Sequence, residues 1–204
     1  MGRHIEFLVE EPSAEAALKN LVPKFMGDEV SFNIHVYQGK QDLLLKLPDR
    51  LKGYRSWLPG DWYITVLIDK DQEECVTLKQ KLEIIAKNEG FVTRSIAELQ
   101  GKFQVINRIA IEELEAWFFG DVTALKTAYP RVPGFLDRRK GFRNPDVIHN
   151  TAEALERILK SAGYYRGGMP KIEVARKITE YMEPNRNTSK SFRVFRDALI
   201  DLIP

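Results

Sequence analysis

Short apolar runs separated by amphipathic stretches dominate the first 120 residues of the chain. The densest run, residues 62–68, places β-branched and aromatic residues one after another with almost no polar alternation. A strand that is covered by helices on both faces has this composition. The same patterns predict further strands at 4–10, 31–37 and 103–109, and helices at 13–21, 42–51, 73–88 and 112–120.

Strands that alternate with helices predict parallel pairing. We therefore predict an α/β fold with a mainly parallel sheet of four or five strands, flanked by helices. Beyond residue 120, prolines and glycines punctuate short helices predicted near 151–161, 171–182 and 190–203. The expected organisation is an α/β core at 1–120 and a helical, basic extension at 121–204 that packs on the core.

Charge is unevenly distributed along the chain. Residues 1–120 carry 15 Lys and Arg against 19 Asp and Glu, whereas residues 121–204 carry 16 against 10. This asymmetry fits an acidic metal site beside a surface for polyanions, although chance also gives differences of this size. One cysteine, Cys75, excludes a disulfide framework and a multi-cysteine zinc site. No apolar run reaches the roughly 20 residues of a membrane span, so we expect a cytoplasmic protein without membrane association.

Carboxylates stand at the ends of two predicted strands. Asp69 and Asp71 follow the strand at 62–68, and Glu10 ends the first strand. Because the carboxyl ends of parallel strands share one edge of a sheet, we expect the three side chains to lie together. Carboxylate oxygens are ligands that magnesium and manganese prefer. The sequence therefore predicts a Mg²⁺ or Mn²⁺ site, although an isolated D-x-D is more often a pair of solvated or helix-capping aspartates.

A second acidic group, EELE, follows the fourth predicted strand. Glu112 and Glu115 are three residues apart and would share one face of the predicted helix at 112–120. We predict them as further metal ligands. Acids in the first turn of a helix are also expected on structural grounds alone, because they interact favourably with the helix dipole.

Basic side chains that could bind phosphate occur in three places. Lys40, in the QGK turn after the second strand, is predicted to approach the carboxylates and take part in catalysis. The stretch DRRKGFRNP surrounds Phe142 with cations that suit a nucleic-acid backbone and a stacked base, although a solvated charged loop explains it equally well. The predicted nucleic-acid contacts in this stretch are Arg138, Arg139, Lys140 and Arg143.

The segment NTSKSF offers a second phosphate site. Ser189, Lys190 and Ser191 could hold a phosphate at a helix N-terminus, or Thr188 or Ser189 could simply cap the last helix. No Gly-rich nucleotide loop is present, so we do not expect ATP or NAD to bind by the usual motifs. The histidines show no ligand spacing, so zinc and His-based nucleophilic catalysis are poorly supported.

The two segments that carry the strand-end carboxylates resemble the motifs of the TOPRIM fold. They are LVEEPSAEAAL, with Glu10, and VLIDKD, with Asp69 and Asp71. The segments YQGKQDLL, LIDKDQEEC, RIAIEELEAWFFGD and NTSKSFRVF are similar to a TOPRIM-like bacterial family of unknown function. That family is related to the TOPRIM nucleases of overcoming-lysogenization-defect type. The resemblance covers nearly the whole chain and implies that Glu10 is the TOPRIM glutamate and that Asp69 and Asp71 are the metal-binding pair.

The resemblance implies a magnesium-dependent nuclease that acts with a partner ATPase of the ATP-binding-cassette type in a bacterial defence system. Glu11 stands where TOPRIM domains usually have glycine, which argues against topoisomerase and primase chemistry. The alternatives are a non-catalytic TOPRIM-like module that binds nucleic acid or the ATPase, and phosphate chemistry on a small molecule. The sequence does not distinguish DNA from RNA and does not reveal the oligomeric state.

Overall fold

The computed structural model describes residues 3–27, 30–97 and 102–202. The chain divides into two compact units, Met1–Glu15 with Asp28–Ile109, and Ala16–Gly27 with Ala110–Pro204. The division therefore falls after Ile109, and an N-terminal segment belongs with the C-terminal unit. The predicted packing of the extension on the core stays a prediction.

The first unit is built around a sheet that, in the described residues, has four parallel strands in the order β2-β1-β3-β4. The strands are β1 His4–Val9, β2 Ser31–Val36, β3 Trp62–Asp69 and β4 Val105–Ala110. The helices are α1 Pro12–Met26, which continues into the second unit, α2 Lys40–Arg55, α3 Cys75–Asn88 and α4 Arg94–Ala97. The predicted α/β fold with a parallel sheet flanked by helices is confirmed, with four strands in this part of the chain.

Strand β1 lies between β2 and β3, and this order fixes where the direction of the chain across the sheet reverses. Val9, the last residue of β1, pairs with Val36 of β2 and with Leu67 of β3. The chain thus moves to one side of β1 for the second strand and to the other side for the third. Such a reversal is a topological switch point, where open α/β sheets bind ligands beyond the carboxyl ends of their strands.

The two central strands are largely buried, and most of their side chains are apolar. All six residues of β1 are buried, and so are the last six of β3. Each large aliphatic side chain buried in this way contributes about 1.5–3 kcal/mol. The main core cluster joins these strands to α2 and α3 through Leu8, Leu43, Leu47, Leu51, Ile64, Val66, Leu78 and Leu82.

Beyond Ala110, the regular secondary structure in the described residues of the second unit is helical. Its helices are α5 Glu115–Phe119, α6 Val122–Ala128, α7 Thr151–Ser161, α8 Lys171–Tyr181 and α9 Lys190–Ile200, with 3-10 turns at Leu136–Arg138 and Pro145–Val147. The predicted helix at 151–161 is confirmed at both ends. The last helix ends earlier than predicted, and residue 203 lies outside the described residues.

Trp117 organises the core of this unit. Its side chain is fully buried, and its ring lies 5.2 Å from that of Phe192 and 5.0 Å from that of Phe195. The indole Nε1 donates a hydrogen bond of 3.0 Å to the hydroxyl of Ser191, so the polar end of the side chain is also satisfied. Trp117 is therefore a packing residue of α5.

Candidate functional site

Three carboxylates lie beyond the carboxyl ends of β1 and β3, at the switch point of the sheet. Glu10 directly follows β1, Asp69 is the last residue of β3, and Asp71 comes two residues later. We call these three residues the carboxylate edge. Glu10 and Asp69 are 8% and 7% exposed, whereas the side chain of Asp71 is 45% exposed. The edge thus has a buried part and a part that solvent can reach.

Glu10 is a buried carboxyl of the carboxylate edge with a raised pKa. Burial raises its pKa from 4.5 to about 7, and the negative charge of Asp71 acts in the same direction. Lys40 and a backbone hydrogen bond from Asp69 oppose this shift. Within the described residues, Oε2 of Glu10 is buried without a hydrogen-bond partner. The local environment therefore leaves the ionised form of Glu10 only partly compensated.

The turn after β2 brings a cation to the same edge. Gly39 has a φ of 89°, in the region that favours glycine, and its N–H donates a hydrogen bond of 2.8 Å to the carbonyl oxygen of Glu10. Helix α2 begins at the next residue, Lys40. The sharp turn at Gly39 consequently places the Lys40 side chain beside the carboxylates.

Lys40 is buried, with a side chain that is 8% exposed. Its ammonium lies 2.7 Å from Oδ2 of Asp71 and 3.3 Å from Oε1 of Glu73, and it donates a hydrogen bond of 3.1 Å to the carbonyl oxygen of Lys70. Burial is the largest single influence and lowers the pKa of Lys40, but the hydrogen bonds and negative charges of Asp71, Glu73 and Glu10 together outweigh it, so the pKa is raised. Lys40 is therefore a charged ammonium. Sequence reasoning missed Glu73, because nothing distinguishes it from other acids before a helix.

The backbone of Asp71 also contributes to the geometry. Its φ of 51° lies in the left-handed region, which aspartate tolerates better than most residues. This conformation ends the extended chain after β3, so the alternation rule for strands does not apply between Asp69 and Asp71. The direction of the Asp71 side chain toward Lys40 is thus a product of the turn.

The donor set of the carboxylate edge suits a hard divalent cation, since it consists of carboxylate oxygens with one partly compensated buried group. Among residues 3–27, 30–97 and 102–202, however, no group of three or more His, Cys, Asp or Glu side chains is arranged to hold a metal ion. The positive charge next to Asp71 comes from the Lys40 ammonium. The predicted metal site stays a prediction, and binding would require Asp71 to exchange Lys40 for the ion.

Glu112 and Glu115 belong to the second unit, and the predicted helix from 112 onward was wrong at its start. Helix α5 begins only at Glu115, and Glu112 precedes it with a left-handed φ of 62°, so the two residues do not share a helical face. The Glu112 carboxylate lies 3.1 Å from Nδ1 of His149. Glu115 is 1% exposed and lies 4.0 Å from the ammonium of Lys171. Their predicted role as further metal ligands stays untested.

The predicted phosphate site in NTSKSF already contains a carboxylate. Asp146 accepts hydrogen bonds from the backbone N–H groups of Lys190 and Ser191, at 2.6 and 3.0 Å, and from the hydroxyls of Ser189 and Ser191, at 2.7 and 3.0 Å. Ser189 also caps α9 by accepting from the N–H of Phe192. The N-terminus of α9 is therefore occupied by an aspartate of the same unit, and phosphate binding there stays a prediction.

The basic stretch of the second unit is exposed around a fixed aromatic ring. The ring of Phe142 packs 5.4 Å from that of Phe119, and the guanidinium of Arg139 lies 5.1 Å from the ring of Phe135. All four cations predicted to bind nucleic acid are solvent-exposed, namely Arg138, Arg139, Lys140 and Arg143. Their side chains are thus available to an external anion.

Two histidines that looked scattered in the sequence meet at a buried carboxylate. His4 and His35 both hydrogen-bond the side chain of Glu6, as do Asn33 at 3.1 Å and Tyr54 at 2.9 Å. Burial would raise the pKa of Glu6, but these hydrogen bonds together lower it. The Glu6 network is therefore a satisfied structural charge in the first unit.

The fold and this site define an α/β protein with an all-parallel, Rossmann-like sheet and an ionisable cluster at its switch point. The chain belongs to the family described as Domain of unknown function (DUF4276), whose model matches residues 9–200. A search of curated proteins and a search of solved structures found no match. The matched residues include the carboxylate edge and helices α5 to α9.

In the described part of the chain, no helix combines the length and the apolar character that crossing a bilayer requires. The expected cytoplasmic location stays a prediction.

Proposed function

We propose that the chain is a magnesium- or manganese-dependent phosphodiesterase of TOPRIM type that cleaves nucleic acid. The observation that carries this proposal is Glu10, a buried carboxylate at the switch point whose Oε2 has no hydrogen-bond partner in the described residues. Asp71 adds further negative charge beside it. An ionised carboxylate in such surroundings requires a cation, and oxygen-rich sets of this kind suit a divalent ion.

Glu10, Asp69 and Asp71 would hold the ion. Once bound, it supplies Lewis-acid stabilisation of the charge that develops on a phosphodiester. Without a metal ion the pKa of Glu10 is about 7, so binding of the ion to the ionised carboxylate would release the proton that Glu10 holds near neutral pH. Lys40, released from Asp71, can donate to a phosphate oxygen.

The basic stretch of the second unit supports nucleic acid as the substrate, because carboxylates have no affinity for phosphate of their own. Arg138, Arg139, Lys140 and Arg143 would contact the backbone. Phosphate binding by Ser189, Lys190 and Ser191 remains part of the proposal. The phosphate would have to displace the Asp146 carboxylate, which accepts hydrogen bonds from these residues.

The resemblance to the TOPRIM-like bacterial family adds a partner to the proposal. An ATPase of the ATP-binding-cassette type would gate cleavage within a bacterial defence system. The gating idea rests on that resemblance alone.

Cleavage assays test the proposal directly. Purified protein with Mn²⁺ should nick DNA or cut RNA, whereas Asp69→Ala/Asp71→Ala and chelated wild type should not. Asp49→Ala, at an exposed position of α2, is the matched control and should cleave like wild type. The assay is repeated with the proposed partner ATPase present. If wild type and the double variant are then equally inert, the nuclease proposal fails.

A second candidate is a non-catalytic module that binds nucleic acid or the ATPase. The ion pair between Lys40 and Asp71 favours it, because that pair neutralises part of the carboxylate edge without a metal. Calorimetric titration with Mg²⁺ and Mn²⁺ separates the two candidates. Saturable binding that Asp69→Ala/Asp71→Ala abolishes supports the phosphodiesterase, and absence of binding supports the module.

A further inference from the structure

A cavity of about 380 Å³ lies in the second unit, between the 3-10 turn at Leu136–Arg138 and helix α7. This volume lies within the roughly 300–1,000 Å³ of typical ligand pockets. Three arginines line it, namely Arg131, Arg139 and Arg157, and no acidic side chain is among its lining residues in the described part of the chain. We call this cavity the arginine pocket. Apolar side chains complete it, including Leu136, Phe142, Ala154 and Ile158.

Arg131 is held in place before any ligand binds. Its guanidinium lies 4.1 Å from the ring centroid of Tyr164, and its Nη2 donates a hydrogen bond of 3.1 Å to the carbonyl oxygen of Gly163. Gly163 has a φ of 80°, and a Cβ atom at this position would lie 3.1 Å from Nη1 of Arg131. The glycine thus allows the close approach that positions Arg131. Fixing a guanidinium in advance reduces the entropy lost when it binds a phosphate.

The other side of the pocket combines a cation with an aromatic surface. The Arg139 guanidinium lies over the ring of Phe135, and contact with Phe119 fixes the ring of Phe142. Arg157 extends from α7 as an exposed side chain. The pocket therefore offers guanidinium groups for a phosphate and an apolar, partly aromatic surface for a planar group. A nucleotide combines both of these parts in one residue.

We propose that the arginine pocket binds one nucleotide of a single-stranded nucleic acid. Arg131 and Arg157 would bind its phosphate, since guanidinium groups match phosphate oxygens geometrically, and Phe142 would contact the base. Exposed cations beside the pocket, among them Arg138 and Lys140, favour a strand over a free nucleotide, because they can contact successive phosphates. A base that is stacked and paired in a duplex cannot enter a cavity of this kind. The inference does not require cleavage at the carboxylate edge, but it gives the proposed phosphodiesterase a substrate class.

Fluorescence anisotropy with a short labelled single strand tests the pocket, with a chelator present so that cleavage cannot contribute. Arg131→Gln/Arg157→Gln should bind about tenfold more weakly than wild type, because two guanidinium contacts to phosphate are lost. The control is Arg193→Gln, which removes an exposed arginine of α9 that does not line the pocket. Equal affinity of the double variant and the control would overturn the proposal.

Gly163→Ala tests the positioning of Arg131 without changing any charge. A Cβ at this position would lie 3.1 Å from Nη1 of Arg131, so the guanidinium should shift by a few tenths of an ångström and strand binding should weaken measurably, while circular dichroism confirms that the variant is folded. Wild-type affinity in the folded variant would contradict the role of Arg131. Gly163→Ala and Phe142→Leu also keep the proposal testable if the double arginine variant does not fold.

Competition separates the two parts of the ligand. Adenosine monophosphate should displace the strand at a lower concentration than inorganic phosphate, and equal potency would contradict a contact with the base. A duplex of the same sequence should bind more weakly than the single strand. If it binds as tightly and loses as much affinity in Arg131→Gln/Arg157→Gln, the single-strand assignment is wrong.

The chelator also makes the two proposals independent. If the protein binds the strand but does not cleave it in Mn²⁺, the pocket proposal holds and the phosphodiesterase proposal fails. Cleavage by wild type in Mn²⁺, combined with a strand affinity that Arg131→Gln/Arg157→Gln leaves unchanged, would refute the pocket proposal and support the phosphodiesterase proposal.

Discussion

The ammonium of Lys40 lies 2.7 Å from Oδ2 of Asp71, and the Lys40 side chain is 8% exposed. Lys40 begins the helix after β2, whereas Asp71 follows β3, so this ion pair spans the switch point beside Glu10. The pair explains how the carboxylates tolerate one another, because a buried cation offsets part of their repulsion. It also identifies the interaction that a metal ion would have to replace.

Removal of the Lys40 charge should make the protein dependent on divalent ions. Lys40→Met leaves Asp71 and Glu10 without their nearby cation, so we expect the free energy of unfolding to fall by about 1–3 kcal/mol. This loss is smaller than for a fully buried ion pair, because Asp71 is half exposed. Mg²⁺ should then raise the melting temperature more in this variant than in wild type. Thermal unfolding with and without Mg²⁺ measures both effects.

Lys46→Met provides the control, since Lys46 forms an exposed ion pair with Asp42 on the same helix. Its stability should change little, and its response to Mg²⁺ should equal that of wild type. A Mg²⁺ effect of the same size in all three proteins would contradict the role assigned to Lys40.

Glu10 should make stability fall as the pH rises. Its pKa in the folded protein, about 7, lies above the ordinary value of 4.5, so the folded state holds the proton more tightly than the unfolded state. The resulting stabilisation is complete below about pH 4.5 and is lost as the pH rises through about 7. Glu10→Gln, which resembles the protonated form, should match wild type near pH 5 and exceed it by about 1–3 kcal/mol near pH 8.

Urea unfolding of both proteins at the two pH values measures this difference. Glu153→Gln, at an exposed position of α7, should show no such pH dependence relative to wild type. A constant difference between Glu10→Gln and wild type at both pH values would show that the buried carboxyl does not titrate as described.

Divalent-ion binding should depend on the same proton. Because a metal binds the ionised carboxylate, Mn²⁺ affinity should rise as the pH increases through about 7, and binding should release a proton. Calorimetry in two buffers with different ionisation enthalpies counts the released protons. Binding without proton release below pH 7 would mean that Glu10 is not a ligand.

Gly39→Ala should destabilise the turn that positions Lys40. No atom lies within 4 Å of a Cβ built at Gly39, so the cost comes from its φ of 89° and should be about 1–2 kcal/mol. Gly53→Ala is the matched control, because Gly53 also has open space but lies within α2 at an ordinary φ. That control should be neutral or stabilising by up to about 1 kcal/mol. Chemical unfolding distinguishes the two, and equal effects would exclude backbone strain as the cause.

Asp146 should control whether the N-terminus of α9 binds an external anion. Asp146→Ala removes the acceptor for two backbone N–H groups and two hydroxyls, so we expect a loss of about 1–2 kcal/mol. Inorganic phosphate should then stabilise the variant more than wild type, because the freed donors of Ser189 and Ser191 can bind it. Thermal unfolding in a phosphate series gives the answer. An identical phosphate response in both proteins would remove NTSKSF from the set of predicted phosphate sites.

The boundaries of the elements show where sequence patterns are informative. The predicted strands at 4–10 and 62–68 agree with β1 and β3 to within one residue, because their mostly apolar runs stop at the charged residues Glu10 and Asp69. The helix predicted from Glu112 begins at Glu115 instead. Acids before a helix resemble acids in its first turn, and the positive φ of Glu112 leaves no periodic signal in the sequence.

The sequence by itself determined the parallel α/β sheet and the position of Glu10, Asp69 and Asp71 at its carboxyl edge, because strand ends are local features and alternation with helices implies the pairing. Only the tertiary structure decided which side chains meet there and elsewhere. It paired Lys40 with Asp71, placed Asp146 at the start of α9, and gathered the arginines of the pocket from two separate segments. Such contacts depend on chain reversals between distant segments, and polar side chains on loops and helix ends have no periodicity that would reveal their partners.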